Sequence, residues 1–347
     1  MFGKIILEDI SEIAQSVDAG RLRGKTVLVA GAAGFLPAYM VETLLHLNET
    51  QSCGCKVIAL VRNIEKAALR FARYSGRPDL TLVPGDISSR STELPVADFI
   101  IHAASPASPK YYAKDPVGVM CANLLGMHNL LEMARRYKPE AFLYFSSGEV
   151  YGELEPSAPP AKESDYGYVD ILNVRSCYAE SKRAAETLGV SYSVQHGIPC
   201  KIVRPFHTYG PGMALDDGRV FADFVADIVH NRNICLKSDG SAVRAFCYLS
   251  DAVRAFFAVL LHGNPGQAYN VGNPSGVLSI AELAELLVGL TPGLSVERLS
   301  QPRDAGYLQS PIARNVPDIS LIASLGWNPK YSPMEGFTRT IRSFLGN

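Results

Sequence analysis

Two short stretches carry side chains able to do chemistry together. Ser146-Ser147-Gly148-Glu149-Val150-Tyr151-Gly152 follows the run Ala141-Phe142-Leu143-Tyr144-Phe145, whose apolar and aromatic character is the signature of a buried strand. Ser147 and Glu149 stand two apart just past its end. On a strand, or on its extended continuation, that spacing points both side chains to one face. A hydroxyl and a carboxylate at the carboxyl end of a central strand lie where open α/β sheets bind ligands. Downstream, Tyr178 and Lys182 are four apart in Cys177-Tyr178-Ala179-Glu180-Ser181-Lys182-Arg183-Ala184-Ala185-Glu186, which reads as helix. The spacing puts phenol and ammonium on one helical face. A lysine cation beside a phenol lowers its pKa, which predicts a phenolate usable as a base near neutral pH. Taken alone, Tyr-x-x-x-Lys is as readily a packed tyrosine and a solvated lysine. Its coincidence with Ser-x-Glu and an upstream glycine turn favours catalysis.

That glycine turn is Gly31-Ala32-Ala33-Gly34-Phe35-Leu36-Pro37, after the strand-like Lys25–Ala30 and before a helical stretch from Tyr39 to Leu47. Two glycines let the backbone turn sharply and approach a pyrophosphate, whose charge sits at the helix N-terminus. Pro37 stands where a third glycine is usual, and proline is tolerated in a first helical turn. Lys56–Val61 reads as a second strand ending at Arg62. An acidic residue there favours NAD, whereas a nearby arginine accommodates a 2′-phosphate. Further strands are predicted at Leu80–Val83 (followed by Asp86 and Ile87), Phe99–Ala104 and Pro199–Arg204, with helices near Val117–Arg136 and Ser181–His196. This alternation predicts an α/β fold, a doubly wound parallel sheet with a smaller C-terminal α/β lobe.

The expected division is a helical extension over 1–24, with Ile6, Ile10, Ile13 and Val17 at helical spacing, then a dinucleotide-binding domain over 25–205. Residues 206–347 form mainly a substrate lobe, and a strand near 245–250 is expected to return to the main sheet. Pro156–Pro160 reads as a surface loop, and Ser279 with Glu282 as a capping box.

Composition narrows the class. Of 347 residues, 47% are hydrophobic and 19% charged, with a net charge of -1 and no basic tract, so nothing points to nucleic acid or an anionic membrane. Seven scattered cysteines lack metal spacing and suit free thiols in a reducing compartment. No apolar run is long enough to span a bilayer, and Glu8, Asp9 and Glu12 stand where a signal sequence would be apolar. The expectation is a cytoplasmic protein without a metal.

Several segments together resemble the extended short-chain dehydrogenase/reductase superfamily, over nearly the whole chain. Within it the chain is most similar to the UDP-glucuronate decarboxylases (UDP-xylose synthases). The segments are His102-Ala103-Ala104-Ser105-Pro106-Ala107-Ser108-Pro109, Ser147–Gly152, Arg175-Ser176-Cys177-Tyr178 through Arg183, Asp217-Gly218-Arg219-Val220, and Arg244-Ala245-Phe246 with Ser250-Asp251. The resemblance implies a bound NAD regenerated each turnover, with NADP open because of Arg62. Its binding residues would be Gly31, Gly34, Phe35, Leu36, Arg62, Asp86, Ile87, Ala103, Tyr178, Lys182 and Pro205. Tyr178 would take the proton of the sugar 4-hydroxyl, Lys182 would hold the nicotinamide ribose, and Ser147 would bond the 4-oxygen. Glu149 would assist protonation at carbon 5. The nucleotide sugar would meet Ser105, Asn123, Glu149, Arg175, His207, Arg219 and Arg244, the last two at the diphosphate. His207 stands where the family usually has asparagine. The resemblance also implies a homodimer formed by the helices near 117–136 and 181–196.

Decarboxylation of a UDP-uronic acid is the first reading. A nucleotide-sugar 4,6-dehydratase is the second, a 4-epimerase the third, and a non-catalytic dinucleotide-binding sensor the reading from another class. Ser147, Glu149, Tyr178 and Lys182 together weigh against the sensor.

Overall fold

Helical periods and apolar runs alternate along the chain and fold accordingly. The computed structural model describes residues 3–89, 94–155, 157–298 and 311–346. Met1 and Phe2 of the expected extension, Pro156 of the proline-rich loop, and 299–310 and Asn347 of the C-terminal lobe lie outside them. The N-terminal half runs α1 (Lys4–Ser16), α2 (Ala19–Leu22), β1 (Thr26–Ala30), α3 (Phe35–Gln51), β2 (Lys56–Val61), α4 (Ile64–Arg70), β3 (Leu80–Pro84), β4 (Phe99–His102), α5 (Pro109–Lys114), α6 (Pro116–Tyr137) and β5 (Ala141–Phe145). There follow α7 (Ser176–His196), β6 (Cys200–Pro205), β7 (His207–Tyr209), α8 (Val220–Val229), β8 (Ile234–Leu236), β9 (Val243–Tyr248) and α9 (Leu249–His262). The chain closes with β10 (Ala268–Val271), β11 (Val277–Ser279), α10 (Ile280–Gly289), β12 (Val296–Arg298), β13 (Arg314–Asn315), α11 (Ser320–Ala323) and α12 (Pro333–Leu345).

Seven strands make one parallel sheet in the order β10-β6-β5-β4-β1-β2-β3. The connections run outward in opposite directions from β1 and β4, so a crevice opens beyond the carboxyl ends of these two strands. Apolar cores cover both faces. One joins Val27, Val29 and Leu143 to α1, α3 and α9, and the other joins Leu28, Ile100 and Phe142 to α6 and α7. The central strands are therefore continuous hydrophobic runs, as sheets covered on both faces require.

The strand near 245–250 does not return to this sheet. It is β9, which pairs with β7, β11 and β13 in a second sheet. The free edge of β6 is taken by β10, in the register Ala268↔Ile202 to Val271↔Pro205. Both runs are short and apolar, and periodicity alone does not say which one claims an edge.

Helix α3 starts four residues earlier than expected, with Gly34 as its N-cap and Pro37 in the first turn, where no backbone donor is lost. Helix α1 lies against α3, α9 and α12 as an amphipathic helix should. It buries Ile5, Ile10, Ile13 and Ala14, and it ends at Ser16, one residue before Val17. It also buries Asp9, which accepts from the Tyr248 hydroxyl at 2.7 Å and the Arg339 guanidinium at 2.8 Å.

Candidate active site

Strand β5 delivers the chain to the crevice and a tight turn stops it there. Ser147 is extended, and its hydroxyl caps a 3₁₀ turn over Gly148–Tyr151 by accepting from the Glu149 N–H at 3.2 Å. Ser147 and Glu149 are thus neighbours through a capped turn, not through the extended continuation of the strand. Gly148 leaves little room: a Cβ there would lie 3.1 Å from the Phe206 ring.

Helix α7 begins at Ser176 and carries both Tyr178 and Lys182. Lys182 reaches back to the end of β5, its Nζ donating to the Phe145 carbonyl at 2.6 Å. Ser147 bonds the Tyr178 phenol. The expected lowering of the phenol is reversed. Burial pushes Tyr178 up to about 12 despite the Ser147 bond, and burial pushes Lys182 down to about 7 despite the Glu186 carboxylate one helical turn on. The two groups share one dry site, where desolvation of each charged form outweighs their proximity. Tyr112 of α5 stacks on Tyr178 with ring centroids 5.0 Å apart, which fixes the phenol's plane.

Arg175 stands just before α7 and forks onto Glu149. Its Nη1 and Nη2 donate to the two carboxylate oxygens at 3.1 Å each. The guanidinium also lies 5.8 Å from the Tyr112 ring centroid. Strand end, helix start and α5 thereby close around one reaction volume.

These groups line a cleft of about 670 Å³. Of the residues singled out in the sequence, Gly34, Phe35, Leu36, Arg62, Ala103, Ser105, Ser147, Glu149, Arg175, Tyr178, Lys182, Pro205, His207, Arg219 and Arg244 line it. Gly31, Asp86, Ile87 and Asn123 do not. Asn123 is fully buried and donates to the Ser181 hydroxyl at 2.9 Å, tying α6 to α7 behind the site. Asp86 is exposed and closes a turn with Ser88. That bond, and secondarily Arg62, hold its carboxyl below the usual range. Ile87 is buried and packs where a Cβ on Gly126 would sit. Gly31 acts through the backbone: its φ is +79°, and a Cβ there would lie 2.7 Å from the Ala104 backbone. Only glycine serves at such a turn, and the Gly31–Gly34 cradle at the head of α3 fits a pyrophosphate approaching the backbone.

The far end of the cleft is basic. Arg219 donates to the Ala107 carbonyl at 3.0 Å and pairs with Asp217 at 3.3 Å. Arg244 is buried and anchored to the carbonyls of Val243, Ala313 and Ile312. His207 faces the rings of Phe221 and Phe246. Burial first, and then Arg244 and Arg219, push it well below its ordinary range, so it is a neutral imidazole. Sequence reasoning missed Tyr112 and Asp217 as cleft residues. Tyr112 stands three residues after the Ser-Pro-Ala-Ser-Pro run, and Asp217 is two residues before Arg219. Among the described residues no cluster could hold a metal ion, and no helix is long and apolar enough to cross a membrane.

Known proteins are similar to this chain in sequence and in fold. UDP-glucuronic acid decarboxylase 3 of Arabidopsis thaliana is 35% identical over 312 residues, which cover 89% of this chain and 86% of that protein. UDP-glucuronic acid decarboxylase 1 of Xenopus tropicalis is 31% identical over 326 residues, covering 92% and 72% respectively. Among solved structures, DesIV, a dTDP-glucose 4,6-dehydratase from Streptomyces venezuelae with NAD bound, has a TM-score of 0.78 at 25% identity and covers 93% of this chain and 97% of its own. Residues 27–272 match the NAD dependent epimerase/dehydratase family, and it is to this family that the chain belongs.

Proposed function

We propose that the chain is a nucleotide-sugar decarboxylase: it oxidises carbon 4 of a UDP-uronic acid, releases the carboxyl group as carbon dioxide, and reduces the 4-ketone again. The observation that carries this reading is the fork between Arg175 and Glu149 beside Gly148. Dehydration needs an acid for a departing hydroxyl and a base for the carbon-5 proton. At this turn one carboxylate, Glu149, stands beside Gly148, which offers neither an acid nor a base, and both Glu149 oxygens accept from the Arg175 guanidinium. A 4-keto-uronic acid is a β-keto acid and needs less assistance, because its carboxylate leaves as a neutral gas. Likeness to two UDP-glucuronic acid decarboxylases points the same way. Dehydration is the second reading, favoured by the likeness to DesIV.

The cofactor in this reading is NAD, held by the Gly31–Gly34 cradle, Ala103, Arg62 and Lys182. When bound it accepts a hydride from carbon 4 and later returns it. Tyr178 takes the proton from the 4-hydroxyl, Ser147 bonds the 4-oxygen, and Lys182 and Ser147 favour the phenolate against the burial that opposes it. Arg219, Arg244 and neutral His207 lie where a diphosphate would extend from the reaction volume. The active form is a homodimer joined through the outer faces of α6 and α7.

The test supplies UDP-glucuronate to the purified protein and follows carbon dioxide and the nucleotide product by mass spectrometry. UDP-xylose or its 4-keto precursor is the expected product. Loss of water from a neutral hexose nucleotide, with no reaction on any uronate, overturns the reading in favour of the dehydratase. Denaturing the protein and identifying the released dinucleotide tests the cofactor, and recovery of NADP alone would show that Arg62 selects the 2′-phosphate.

A further inference from the structure

The fork between Arg175 and Glu149 uses only part of the guanidinium. Glu149 occupies its end through Nη1 and Nη2. A guanidinium carries five N–H donors in one plane, so the side edge, Nε with a neighbouring Nη hydrogen, remains. Arg175 Nε is buried and has no partner among the described residues. Ser105 Oγ and Ser146 Oγ are likewise buried and unpartnered, and all three residues line the cleft. Buried polar groups are nearly always satisfied, so a donor edge left open on a cation marks a site that a ligand completes. The shape of that edge is the shape of a carboxylate, which a guanidinium grips with two parallel N–H bonds. A second carboxylate beside Glu149 would otherwise be repelled, and a cation lying between the two offsets that repulsion.

We propose that Arg175 recognises the carboxylate of the uronic acid, gripping it side-on while holding Glu149 end-on. The inference rests on the nucleotide-sugar reading above and adds the residue that tells a uronate from a neutral hexose. It also gives the bond-breaking step a direction. One cation between two carboxylates leaves that group of three with one excess negative charge. When the carbon 5–carbon 6 bond breaks, its electron pair moves into a carbon 4–carbon 5 double bond and the charge passes to the 4-oxygen, beside Ser147 and Tyr178. Carbon dioxide leaves uncharged, and Arg175 returns to one-to-one pairing with Glu149. Sharing the guanidinium also keeps the departing carboxylate from being held too strongly.

The test uses the full chain carrying Tyr178→Phe, so that bound sugar is not turned over, and compares the Kd of UDP-glucuronate with that of UDP-glucose by calorimetry. Arg175→Gln in that background is expected to weaken UDP-glucuronate by about tenfold or more while leaving UDP-glucose nearly unchanged. Glu149→Gln removes the competing carboxylate and is expected to tighten UDP-glucuronate alone. Equal effects of Arg175→Gln on both ligands, or none on either, overturn the assignment and leave the nucleotide-sugar reading standing. Should Arg175→Gln fail to fold, Glu149→Gln decides, and tightening that is absent or unselective overturns the assignment. Binding of neither sugar nucleotide to the Tyr178→Phe protein removes the nucleotide-sugar reading and this inference with it.

Discussion

At the scale of single residues, Tyr178 and Lys182 show burial and function pulling in opposite directions. A phenol pushed up to about 12 is a poor base, and an ammonium pushed down to about 7 is poorly charged, yet the chemistry needs both ions. Tyr178→Phe is expected to keep the fold and lose ~10²–10⁴-fold in turnover, the usual contribution of a general acid–base group, and a near wild-type rate would remove Tyr178 from the mechanism. Lys182→Met makes a complementary, thermodynamic prediction. Between its folded value of about 7 and its ordinary 10.5, Lys182 binds more protons in the unfolded chain, so stability climbs with pH across that window. Below it both states are protonated and the full cost of burying the ammonium stands. In thermal melts of dinucleotide-free protein, Lys182→Met is expected to raise Tm most below about pH 7, the gain fading towards 10.5. A gain independent of pH would contradict this. The four residues Ser147, Glu149, Tyr178 and Lys182 were legible because each pair is fixed by local spacing. The Arg175–Glu149 fork and the Tyr112 stack were not, because they join side chains 26 and 66 positions apart through the fold and leave no periodic mark. The direction of the phenol shift also escaped, since burial is a property of the packed site.

At the scale of elements, helix α1 reads from sequence as a packing helix, and its apolar stripe does pack. Its buried Asp9 is the part that spacing did not announce. Burial pushes this carboxyl up to about 6, against the pull of Arg339 and the Tyr248 hydroxyl. The three groups come from α1, α12 and β9, so the two ends of the chain meet on the second sheet. Asp9→Ala would leave the buried Tyr248 hydroxyl proton without its acceptor and weaken the hold on Arg339, to which Glu8 at 3.2 Å and the Tyr248 oxygen at 3.3 Å remain. A loss of ~1–3 kcal/mol in denaturant unfolding is the expected result, the penalty of an unmade buried bond. Amide exchange should quicken in α1 and α12 while the parallel sheet stays protected. Uniform loosening of the whole molecule would show that Asp9 does not clamp these helices. Strands were legible as runs because both faces of the sheet are covered. Their partners were less so: β9 and β10 both read as short, largely apolar runs, and only tertiary competition for the edge of β6 separated them.

At the scale of the whole molecule, α6 and α7 lie together on one face of the sheet and carry Asn123, Tyr178 and Lys182 on their inner side. Their outer side is unlike an ordinary solvent face. On α6, Val117, Met120 and Leu125 are exposed, with Cys121 and Leu124 half-covered, at the three- and four-residue steps of one helical stripe. On α7, Ala184, Thr187, Ser191 and Val194 make a small, weakly polar stripe, with Glu180, paired to Arg183, one turn before it. An apolar stripe beside a smooth one suits a second copy of the same pair related by a two-fold axis, since closed two-fold dimers are self-complementary. The proposed dimer would also brace α7 from outside, and with it the base and the lysine. Leu125→Glu tests it. Leu125 is half exposed near the middle of α6, so a carboxylate there is harmless to an isolated chain but is buried against its symmetry mate in the dimer. The wild-type protein is expected to scatter light as a dimer at micromolar concentration and Leu125→Glu as a monomer with an unchanged circular dichroism spectrum. Turnover should fall with dissociation and recover in part at high protein concentration, as mass action requires. A wild-type monomer, or a Leu125→Glu dimer of undiminished stability, would place the contact elsewhere and leave the stripe without this role.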